Sequence, residues 1–181
     1  MRLFFGLDPG ATLALQIADW RDRQFPGAGR AVPPANLHIT LAFIGELRER
    51  ELEPLALGVE HWLERRDPGG GVLHLDQTGY WHRPGIYWLG PSVWPAELDQ
   101  LARKLRHLAT AAGSKRDRNR FQPHLTLFRN CEHAPPAPSL PPDFSFGYDH
   151  FTLYESRQGR RGMSYHPLAE WPLAAGIGGA G

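Results

Sequence analysis

The chain carries one four-residue pattern twice, about half its length apart: His38-Ile39-Thr40-Leu41 and His124-Leu125-Thr126-Leu127. Each copy lies in a β-rich run, NLHITLAFIGEL or FQPHLTLFRN, that follows a helical stretch after a short connection. In a strand, residues i and i+2 share a face, so each copy presents an imidazole and a hydroxyl together while Ile39, Leu41, Leu125 and Leu127 turn to the core. A polar-faced strand repeated at that spacing predicts two pseudo-symmetric lobes, with antiparallel sheets lining a central cleft and helices outside. His38, Thr40, His124 and Thr126 converge on that cleft.

The remaining segments complete an α+β pattern. Arg2 to Leu7 is an apolar run stopped by Asp8, Pro9 and Gly10, which predicts a strand. Ala11 to Gln24 repeats Leu13, Ile17 and Trp20 at helical spacing. A second helix is expected over Glu49 to Arg65, with Pro54 in its first turns. A third is expected from about Trp94 to Ala112, with Leu98, Leu101, Leu105 and Leu108 on one stripe and Gly113 as its stop. GVLHLDQTGYW and GIYWLG read as the two arms of a hairpin, and two closing strands are expected near Phe144 to Glu155 and Gly162 to Leu173. The expected organisation is one bilobal domain over 1–174 and a disordered tail over 175–181.

Composition narrows the function. Twenty Lys and Arg against 19 Asp and Glu leave a net charge of +1, too little for wholesale wrapping of a long nucleic acid. The basic run Lys115, Arg116, Arg118 and Arg120 reads as a solvated loop. One cysteine, Cys131, makes no intrachain disulfide and no thiolate metal cluster. His61, His74, His82, His107 and His166 show no metal-ligand spacing, so no metal and no cofactor is expected. The apolar N-terminal stretch is too short for a secretory segment, and no run approaches the roughly 20 apolar residues of a membrane helix. A cytoplasmic, soluble monomer without membrane or obligate protein partner is expected.

Two imidazoles facing one cleft suit phosphodiester chemistry. In-line attack on phosphorus needs a base beside the nucleophile and an acid beside the leaving oxygen, and two groups with ordinary pKa about 6.5 can supply both near neutrality. The threonine hydroxyls can donate to the non-bridging oxygens. A third instance, His150-Phe151-Thr152-Leu153, follows soon after the second and has no partner copy, so it reads as structural.

Beyond the two motifs, RLFFGLDP, NLHITLAFIGEL, the IYWLG strand, FQPHLTLFR and FTLYESRQGRRGMSYHPLAEWPL resemble, in order, the blocks of the RNA 2′,3′-cyclic phosphodiesterase or 2′-5′ RNA ligase family, within the two-histidine phosphoesterases. The resemblance implies a bilobal α+β fold and hydrolysis of a terminal 2′,3′-cyclic phosphate of RNA, or of a small cyclic nucleotide, to a 2′-phosphate without metal. It implies His124 as the base that activates water, His38 as the acid for the 3′ oxygen, and Thr40 and Thr126 as phosphate holders. Phe43 and Arg129 resemble the pair that flanks the terminal base, and Phe5 adds to the base site. Strict alternation would put Phe43 and Arg129 on the face away from the histidines, so each strand must end, twist or bulge after its threonine. Reverse 2′-5′ ligation and a noncatalytic RNA-end or nucleotide binder are the competing readings.

Overall fold

The computed structural model describes residues 1–175, so of the tail expected from 175, residues 176–181 lie outside the described residues. The elements run β1 (Arg2–Leu7), α1 (Ala11–Gln24), β2 (Arg30–Ala31), a 3-10 turn (Pro34–Asn36), β3 (Ile39–Glu46), a second 3-10 turn (Glu49–Glu51), α2 (Leu52–Arg66), β4 (Gly71–Leu75), β5 (Gln77–Trp81), β6 (Ile86–Gly90), α3 (Ala96–Ala111), β7 (Leu125–Arg129), β8 (Phe144–Tyr148), β9 (His150–Gly159) and β10 (Gly162–Pro172). Among the described residues no helix is long and apolar enough to cross a membrane.

One antiparallel sheet dominates, in the order β10-β9-β1-β3-β7-β6-β5, with β2 also paired to β7. The two motif strands are central neighbours, yet β3 and β7 are matched only at Ile39 and Leu125. That narrow join is a seam. On one side lie β3, β1, β9 and β10; on the other lie β7, β6 and β5, each half built around one His-x-Thr copy.

Apolar side chains explain the layering. Ile39, Leu41 and Ile44 of β3, Leu125 and Leu127 of β7 and Leu3, Phe5 and Leu7 of β1 are buried in one core cluster. α3 closes part of that core against β3 with a stripe of Leu98, Leu101, Ala102, Leu105 and Ala109. Removing these side chains from water is the main stabilising term, at roughly 1.5–3 kcal/mol for each fully buried large apolar residue.

Two expected strands divide. GVLHLDQTGYW is β4 and β5, because the Asp76 carboxylate accepts the Ser92 N–H at 2.7 Å and the Ser92 hydroxyl at 2.6 Å and turns the chain between sheets. Only β5 and β6 form the hairpin. Phe144 to Glu155 likewise breaks at Asp149: β8 pairs with β4 in a separate two-stranded sheet, and β9 joins the main one.

Candidate active site at the seam of the sheet

The break required after each threonine is a β-bulge, and it occurs twice. Along β1 and β3, Gly6 faces Thr40 and Phe5 faces Ala42, so Leu41 is the extra residue. Leu41 and Ala42 are then buried in succession and Phe43 emerges, 62% exposed. Along β6 and β7, Trp88 faces Thr126 and Tyr87 faces Phe128, so Leu127 is extra. Leu127 and Phe128 are buried in succession, and Arg129 is half-buried. A bulge shifts the alternation by one, returning the fifth residue after each histidine to the histidine's side. The Phe4 ring bears this out on β3, lying 4.8 Å from the His38 ring and 6.3 Å from that of Phe43.

Both imidazoles are oriented by the same device. His38 Nδ1 lies 2.7 Å from the Asn36 carbonyl, and His124 Nδ1 lies 2.7 Å from the Gln122 carbonyl. A carbonyl only accepts, so Nδ1 carries the hydrogen in both rings and the neutral form leaves Nε2 as the basic nitrogen. The Thr40 hydroxyl, 2.9 Å from His38 Nε2, donates to it. The Asn36 amide also donates to the Met163 carbonyl at 2.8 Å, tying β10 to the turn that precedes His38.

Aromatic walls surround each ring. His38 packs against Phe4 and, edge-on, against Tyr165 at 4.9 Å; His124 packs edge-on against Trp81 at 4.6 Å and against Trp88 at 6.2 Å. Burial lowers the pKa of His38 to about 4, and the charges of Arg129 and His124 push the same way against the Asn36 carbonyl. Burial also lowers His124, aided by Arg129 and opposed by the Gln122 carbonyl. The expectation of one neutral and one protonated imidazole near pH 7 is therefore corrected for the free cleft, where both are neutral. The cause is desolvation, which disfavours the charged form. An anion placed between them would restore a proton.

Two other expectations change. Phe5 is fully buried against Phe151 and Trp171, at 6.1 and 5.9 Å between rings, so it offers no face to a base. Successive residues of β1 point to opposite faces, and Phe4 is the one that reaches the site. The third motif does face the site: β9 is hydrogen-bonded to β1, and His150 and Thr152 line a pocket shared with His38. Its nearness to the second copy in sequence hid its nearness to the first in the sheet. Phe4, Trp81, Trp88 and Tyr165 were missed as site residues. Only the β5–β6 aromatic cluster gave a signal, since strand alternation alone cannot distinguish a wall from a core.

Residues 9–160 match the family model of the 2′-5′ RNA ligase superfamily. An RNA 2′,3′-cyclic phosphodiesterase of Escherichia coli is 41% identical over 95% of this chain and 96% of its own. Another of that name, from Thermus thermophilus, is 33% identical over 96% and 90%. The crystal structure of E. coli LigT complexed with 3′-AMP superposes with a TM-score of 0.87 at 39% identity, covering 95% of this chain and 97% of that one. LigT in apo form gives 0.84 at 40% identity, covering 96% and 97%. With its paired His-x-Thr strands at the seam of one sheet, this chain belongs to the 2′-5′ RNA ligase superfamily.

Proposed function

We propose that the protein hydrolyses the terminal 2′,3′-cyclic phosphate of RNA to a 2′-phosphate, with His38 and His124 as its acid–base pair. The observation that carries this reading is the matched anchoring of both imidazoles, each with Nδ1 held 2.7 Å from the carbonyl two residues before it and Nε2 left for chemistry. His124 Nε2 removes a proton from water as its oxygen attacks phosphorus. The bond from phosphorus to the 3′ oxygen breaks, and that oxygen takes the proton from His38 Nε2. The Thr40 and Thr126 hydroxyls donate to the non-bridging oxygens, with Thr40 turning from His38 to the phosphate once that ring is protonated. No metal takes part. Phe43 and Arg129 hold the terminal base between an aromatic face and a guanidinium plane.

We take residues 1–174 as one bilobal unit that acts as a monomer in the cytoplasm, where a lone buried thiol such as Cys131 stays reduced. Incubation with an oligonucleotide ending in a 2′,3′-cyclic phosphate, in EDTA, should yield a 2′-phosphate end. Absence of turnover would remove the reading. Joining to a 5′-hydroxyl end without hydrolysis would favour ligation instead.

The pH dependence has a definite sign. Both free imidazoles are depressed below 6.5, so the singly protonated pair peaks in acid. We expect kcat/KM to be maximal below pH 6.5 and to fall about tenfold per unit on the alkaline side. The optimum of kcat should lie higher, because bound anionic substrate raises both imidazoles. A kcat/KM optimum at or above pH 7 would contradict the half-buried, neutral pair. For the base site, Phe43→Ala should raise KM by about tenfold or more with a smaller change in kcat, since stacking contributes about 1–3 kcal/mol per base. Unchanged KM would show Phe43 to be outside the site.

A further inference from the structure

We propose that the pocket across β1 from the seam is a second nucleoside subsite, which takes an uncharged nucleoside adjoining the phosphate; the proposal rests on the phosphodiesterase reading above. Register brings two of its lining residues, Thr152 and Glu170, side by side. Thr40 of β3 faces Gly6 of β1, Gly6 faces Thr152 of β9, and Thr152 faces Glu170 of β10. Gly6 is the one member of that row without a side chain. A Cβ there would stand 3.2 Å from both the Ile39 carbonyl and the Phe4 ring, so the missing side chain lets the Phe4 ring lie close over β1.

The space is about 250 Å³ and is lined by His38, His150, Tyr154 and Tyr165, with the Tyr165 ring packed edge-on against His38. That is below the range of about 300–1,000 Å³ for drug-sized ligands and suits a single base or ribose. Thr152, at its base, is only 3% exposed, one of two buried polar or charged residues among those described.

Charge selects the occupant. Asp8 and Glu170 line the pocket and no Lys or Arg does. His150 is engaged at 2.6 Å by the Asp149 carboxylate, with Glu170 at 4.0 Å from its other nitrogen. Phosphate is disfavoured here, whereas ribose hydroxyls and exocyclic amines can donate to the carboxylates and to Thr152. The contrast in charge with the seam, where Arg129 acts on both imidazoles, separates a cationic phosphate region from an acidic nucleoside region. The nucleoside can come from the residue preceding the terminal nucleoside in the same RNA, or from a second molecule whose 5′-hydroxyl stands in for water.

Two measurements separate these sources, each made on wild type and on Ala35→Trp, which projects from an exposed turn position into the pocket. Thr152→Val is the second variant, matched in size to preserve the fold. First, a dinucleotide ending in a 2′,3′-cyclic phosphate is compared with the mononucleoside cyclic phosphate. The subsite predicts that the dinucleotide has the higher kcat/KM by about tenfold and that the ratio falls toward one in both variants. Second, adenosine is titrated calorimetrically into protein saturated with adenosine 2′-phosphate; saturable binding that both variants lose assigns the second source. Equal use of both substrates together with no adenosine binding overturns the subsite, as does a preference or binding that persists in both variants. Failure of wild type to hydrolyse even the mononucleoside would instead defeat the underlying phosphodiesterase reading.

Discussion

Replacing His124 by Ala is expected to lower kcat for cyclic phosphate hydrolysis by about 10²–10⁴-fold, and His38→Ala by a similar factor, with the double variant little worse than either. Non-additivity follows because the two rings serve one displacement and neither half proceeds well without the other. Both rings project from the seam end of their strands, and each is anchored through Nδ1 to a backbone carbonyl. Truncation therefore removes chemistry with little disturbance of the core. The roles separate on a phosphodiester with an aryl leaving group, which departs without needing a proton. There His38→Ala should recover much of its loss and His124→Ala should not. The reverse pattern would exchange acid and base. Equal activity of wild type and both variants on the RNA substrate would leave a binder, not an enzyme.

Gly79→Ala should damage both stability and catalysis from a position outside the motifs. Gly79 faces Trp88 across the β5–β6 hairpin, and an added Cβ would fall 2.2 Å from the indole ring. Trp88 is buried and packs against both Trp81 and His124, so displacing it disturbs the wall that desolvates this imidazole. Overpacking of this kind costs about 1–3 kcal/mol, readable as a lower midpoint in chemical denaturation. Catalysis should fall along with it, and the His124 pKa should move back toward its ordinary value as water reaches the ring. Gly147→Ala is the control, since its added Cβ meets nothing within 4 Å. If Gly79→Ala behaves like that control, the indole is not a fixed part of the site.

Much of this site was legible in the repeated tetrapeptide, because alternation alone puts His38 with Thr40 and His124 with Thr126. The three helices were legible in the spacing of residues such as Leu98, Leu101 and Leu105, although α2 begins as a 3-10 turn over Glu49–Glu51. The bulges at Leu41 and Leu127 could only be inferred as a requirement, since a bulge is a mismatch with a partner strand and the partner is fixed by the sheet. For the same reason Phe4 and Phe5 could not be told apart: which face of β1 meets His38 depends on its pairing with β3. The nearness of the third motif to the site was hidden by sequence distance, whereas strand order brings Thr152 and Thr40 to opposite sides of Gly6. Protonation was also beyond reach, because the depressed His38 reflects burial by side chains distant in sequence, including Tyr165.

The central claim is that both imidazoles approach a single phosphate. It is tested most directly by nitrogen-15 NMR of labelled histidine side chains, titrated in pH with and without adenosine 2′-phosphate. Before ligand, both His38 and His124 should titrate below 6.5 as the Nδ1–H tautomer. With ligand, both Nε2 resonances should shift and both pKa values should rise, since each ring gains the same anionic partner. A response confined to one of the two histidines, with the other titrating unchanged in the complex, would contradict the shared site.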